Sequence, residues 1–121
     1  MSNRRVVVTG LGIVSPVGST VKSAWEDITA GKSGIRPIEV FDASDMPVRI
    51  SGPVKDFNAD DYVSPKDQRK MDTFVYYGIA AGLQAIRDAK LEVTEANAER
   101  IGVAIGSGIG GLPYIEKSYG A

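Results

Sequence analysis

Four groups of residues have types and spacings that chemistry can use. The run Gly106-Ser107-Gly108-Ile109-Gly110-Gly111 contains Gly106-x-Gly108-x-x-Gly111. Between a strand and a helix, that spacing lets backbone N–H groups approach a dinucleotide pyrophosphate. Gly10-x-Gly12-x-x-Ser15 is a near match. The later run has no acidic ribose partner about 20 residues on, and Pro16 and Gly18 interrupt the earlier one. Glycines at strand ends also serve tight turns and close packing. The second group is Lys66, Arg69 and Lys70, at helical spacing i, i+3 and i+4. It reads as a solvated face or as a docking patch for an acidic partner. The third is Ile109 alone, either a core residue or an apolar side chain on a glycine-hinged loop that gates a cavity. The fourth is Asp60-Asp61, whose adjacent carboxylates do not converge on one site in a helix or a strand.

Two absences narrow the chemistry further. The 121 residues contain no cysteine and no histidine. Within this chain there is thus no disulfide, no thiolate nucleophile, no Cys/His metal site and no Ser-His or Cys-His couple. Net charge is −1, from 14 basic and 15 acidic side chains, and gives no overall pull toward nucleic acid or a membrane surface. No apolar run reaches the roughly 20 residues of a membrane span. The short Val6-Val7-Val8 run reads as a buried strand rather than a signal peptide, so the cytoplasm is the default compartment. Apolar residues at 43% and charged residues at 24% describe an ordinary globular domain.

The elements that must position these groups alternate. Residues 4–11 form a predicted strand, and a helix begins after Ser19 or Thr20. Val21, Ala24, Trp25 and Ile28 give that helix an apolar stripe. Residues 48–54 suggest a strand near an edge, flanked by prolines. Ser64-Pro65 starts a second helix that runs to about Lys90, with a break near Asp72. Its later part carries Phe74, Val75, Ile79, Leu83 and Ile86 on one face, with small Ala80, Ala81 and Gly82 allowing close packing. A strand over 101–105 and the start of a helix at Leu112 complete the series. Strands alternating with long helices predict an α/β layer fold with parallel pairing.

Taken in order, several pieces resemble one family. They are residues 4–18 (RRVVVTGLGIVSPVG), Gly31-Lys32-Ser33-Gly34-Ile35, Lys55-Asp56-Phe57, Gln68-Arg69-Lys70-Met71-Asp72 and the run 106–111. The chain is similar to the β-ketoacyl-acyl carrier protein synthases, collinearly over essentially all 121 residues. The acyl-chain-elongating type II enzymes match best; type I enzymes tend to carry glycine where Ile109 stands. The region 42–52 matches least and is assigned no role.

The resemblance implies a partial thiolase-like fold, the N-terminal portion of the first α/β half of a layered αβαβα architecture. Residues 1–121 are expected to be the N-terminal part of the synthase N-terminal domain, cut before the catalytic cysteine. It implies decarboxylative Claisen condensation of malonyl-acyl carrier protein with an acyl-enzyme thioester, in a homodimer and without a cofactor. It places Lys66, Arg69 and Lys70 at the patch that docks acyl carrier protein, and Ile109 at the gate of the acyl pocket. The family's cysteine, two histidines and lysine have no counterpart here, so no catalytic residue is assigned and the chain alone is expected to be inactive. A polyketide ketosynthase or its partner subunit shares the same opening motifs. A small dinucleotide-binding module is the alternative of a different class.

Overall fold

A computed structural model describes residues 3–120, which form two compact units: residues 12–58, and residues 3–11 together with 59–120. In the first unit, Ser15 and Gly18 exchange backbone hydrogen bonds of 3.0 and 3.2 Å across Pro16-Val17. Helix α1, Val21–Thr29, follows. Thr20 is its cap: its hydroxyl accepts from the Ser23 N–H at 3.2 Å, and the Ser23 hydroxyl accepts from the Thr20 N–H at 3.3 Å. The Ser19 hydroxyl donates instead to the Lys55 carbonyl.

The buried face of α1 differs from the predicted stripe. Val21, Trp25 and Ile28 are exposed, whereas Ala24 and Asp27 are buried. Asp27 turns inward because Lys32 and Lys55 reach its two oxygens at 2.9 and 2.5 Å. A buried carboxylate persists only with such partners. Strands β1, Arg36–Pro37, and β2, Ile50–Ser51, then pair antiparallel, Arg36 opposite Ser51 and Pro37 opposite Ile50. The strand predicted over 48–54 is therefore two residues long. Pro37, Pro47 and Pro53 cannot donate to a ladder and hold it short.

The second unit carries the helices that matter for the site. After a 3₁₀ turn at Ala59–Asp61, helix α2, Pro65–Gln68, is capped by Ser64, whose hydroxyl accepts from the Asp67 N–H at 3.2 Å. Helix α3, Thr73–Asp88, starts at the predicted break, and Asp72 is its cap. It stops where Lys90 adopts a positive φ of 50°. Ala80, fully buried, lies in its middle, where a small residue permits close approach. A second 3₁₀ turn, Ala98–Arg100, precedes helix α4, Leu112–Tyr119.

Two expected strands are corrected. Residues 4–11 and 101–105 form no ladder, and the sheet found among the described residues is antiparallel rather than parallel. Val6, Val7 and Val8 are 89, 71 and 79% exposed, and Val103 is 80% exposed. β-Branched residues suit a pleated, half-buried surface, but a ladder needs a facing backbone, and none of the described residues supplies one. The Leu11 N–H donates instead to the Asp88 carboxylate at 2.9 Å. What remains is helices with a small sheet, the content of a partial α/β fold.

Candidate functional site

Lys66, Arg69 and Lys70 lie on α2 and the short segment that follows it before α3, and all are exposed. Only Lys66 is within α2; Arg69 caps its end in αR geometry, and the Lys70 N–H bonds the Asp67 carbonyl at 2.9 Å. The helical path thus continues as a turn through Lys70. The Tyr76 hydroxyl braces this segment from α3, within reach of the Gln68 and Met71 carbonyls, the latter at 2.8 Å. Gln68 ties it further, donating to Asp60 at 2.7 Å and to the Val63 carbonyl at 2.8 Å. None of the three cations enters an ion pair among the described residues, so their charge faces solvent.

Ile109 is 75% exposed among the described residues. It sits on the loop before α4, ahead of Gly110, whose φ of 87° is readily accessible to glycine. With Lys70, Met71, Asp72, Phe74 and Tyr114 it lines a cleft of about 380 Å³. The structure therefore brings one expected docking residue and the expected gate to a single cleft. Arg69 lines an adjoining cleft of about 200 Å³ with Tyr114 and Lys117. Lys117, on α4, adds a fourth cation that sequence spacing could not place. Lys66 lines neither cleft.

The cleft turns on Asp72. One carboxylate oxygen accepts from the Thr73 N–H at 2.6 Å at the start of α3, and the other from the Tyr114 N–H at 3.3 Å at the start of α4. A methyl group at Gly111 would overlap the second oxygen, at 1.7 Å. The α4 N-terminus thus already holds the protein's own anion where the dinucleotide reading would seat a pyrophosphate. Asp60 and Asp61 are exposed, and Asp60 serves as a partner of Gln68.

A family model described as "Beta-ketoacyl synthase, N-terminal domain" matches residues 3–120. The chain belongs to that family. The 3-oxoacyl-[acyl-carrier-protein] synthase 2 of Vibrio harveyi is 60% identical over 121 residues, all of this chain and 29% of that protein. The namesake from Vibrio cholerae is also 60% identical, and that from Coxiella burnetii 51%, with the same coverage. A solved structure, "The ishigamide ketosynthase/chain length factor", superposes with a TM-score of 0.64 at 34% identity over 75% of this chain and 23% of that one. The chain thus spans about 29% of the length of the curated relatives it matches. As a β-ketoacyl synthase N-terminal domain it has a partial thiolase-like α/β fold.

Proposed function

We propose that a protein containing this chain is a type II β-ketoacyl-acyl carrier protein synthase, and that residues 1–121 form the first part of its N-terminal domain. The observation that carries the reading is 60% identity over the whole chain to proteins named 3-oxoacyl-[acyl-carrier-protein] synthase 2. In the reaction, malonyl thioester loses carbon dioxide, the resulting enolate carbon attacks an enzyme-bound acyl thioester, and the cysteine thiolate departs. With no cysteine or histidine here, the nucleophile and its partners must come from outside these residues. This chain's contribution is recognition: Lys66, Arg69 and Lys70 meet acidic acyl carrier protein, and Ile109 gates the acyl pocket. The proposed setting is a cytoplasmic homodimer.

The test is a chimera in which these 121 residues replace the aligned part of the Vibrio harveyi relative. We expect it to condense acyl- and malonyl-acyl carrier protein, and the isolated chain to show no turnover. Lys66→Glu with Arg69→Glu should weaken carrier binding about tenfold at low salt and flatten its salt dependence. A chimera that folds but does not condense would overturn the function; unchanged affinity across salt would overturn the patch.

A further inference from the structure

We propose that Asp72 is a positioning residue that holds the glycine-rich loop, and Ile109 with it, by capping two helices at once. Its neighbours in sequence explain only half of its environment. As the residue before α3 it accepts through one oxygen from the Thr73 N–H, one of the helix's donors that lacks an intrahelical partner. Its other oxygen reaches 42 residues along the chain to the Tyr114 N–H, in the first turn of α4. α4 has no cap of its own, since Gly111 at its N-cap position has no side chain to offer. Gly111 is also what lets the carboxylate in: any side chain there would displace Asp72. This contact anchors the first turn of α4, just past the loop 106–111, and Ile109 lies five residues before Tyr114.

The arrangement requires a carboxylate specifically. Asparagine caps one helix about as well as aspartate. It has a single acceptor oxygen, however, and its NH₂ would face the second N–H. Asp72→Asn should therefore keep α3 capped and release α4. Gly111→Ala should release α4 by a different route, by pushing the carboxylate away. Once residue 72 is alanine, the second methyl group has nothing left to displace, so the two changes should not add.

The readout is amide hydrogen exchange in the chimera, compared between residues 106–116 and residues 76–88. With Asp72→Asn we expect exchange in 106–116 to accelerate about tenfold while α3 is unaffected, as loss of one charge-assisted bond dictates. Gly111→Ala should reproduce that pattern, and Asp72→Ala with Gly111→Ala should match Asp72→Ala alone. Unchanged exchange in 106–116, equal acceleration in α3, or additive single variants would each overturn the clamp. Asp72→Asn should also broaden the range of acyl lengths accepted, read as a rise in kcat/KM for disfavoured lengths relative to the preferred one. That last effect rests on the gate reading. If Ile109→Phe leaves the acyl-length profile unchanged, the gate fails while the exchange experiment still decides the clamp.

Discussion

At the scale of single residues, Ile109 is the sharpest case. Its side chain is presented at the cleft rather than packed, between Gly108 and the positive-φ Gly110. A bulkier group there narrows the cleft without burying anything new. Ile109→Phe in the chimera should therefore disfavour medium and long acyl acceptors and spare short ones, measured as relative kcat/KM across chain lengths. Equal loss at all lengths would count against gating. This residue was legible because its type stands out among glycines. Asp72 was only half legible: the cap before Thr73 is a local signal, whereas the bond to Tyr114 depends on a loop closing over 42 residues. No spacing rule reaches that far.

At the scale of elements, the termini of α2, α3 and α4 could be read from Ser64-Pro65, Asp72 and the glycines before Leu112, because caps act within one turn. What the sequence did not reveal was which face of α1 is buried. An apolar stripe predicts burial on average, but here the ion pairs of Asp27 decide it. Hydrogen bonds from Lys55 first, and then from Lys32, hold the Asp27 carboxyl below the usual carboxylate range. The same contact holds the Lys55 ammonium above its usual range. A lowered carboxyl stabilises the fold above its unfolded pKa and loses that effect as pH falls through the folded value. A raised ammonium stabilises below its unfolded pKa and loses that effect as pH rises through the folded value. The unit should thus weaken at both extremes, below about pH 4 and above about pH 10. Asp27→Asn should flatten both limbs of a melting-temperature profile against pH. A variant with an unchanged acid limb would show that the pairs do not link folding to protonation.

At the scale of the whole molecule, the largest departure from expectation is the pair of strands that found no partner. Their composition is that of sheet interior, yet Val6, Val7, Val8, Val103 and Ile105 are exposed in the described residues. Pattern alone could specify the segments, but pairing belongs to whatever backbone lies beside them, and this chain covers about 29% of its relatives' length. Unpaired apolar segments with free edges are templates for association. The isolated 121-residue chain should therefore self-associate in a concentration-dependent way and bind a hydrophobic dye. The chimera should bind little dye, since the remainder of the relative would cover these segments. Val7→Asp with Val103→Asp should reduce the association of the isolated chain, because charge on an exposed edge disfavours pairing. Sedimentation velocity decides the matter. A monomer at all concentrations, unfolding cooperatively, would mean that these segments are satisfied within the chain and that their exposure carries no drive to associate.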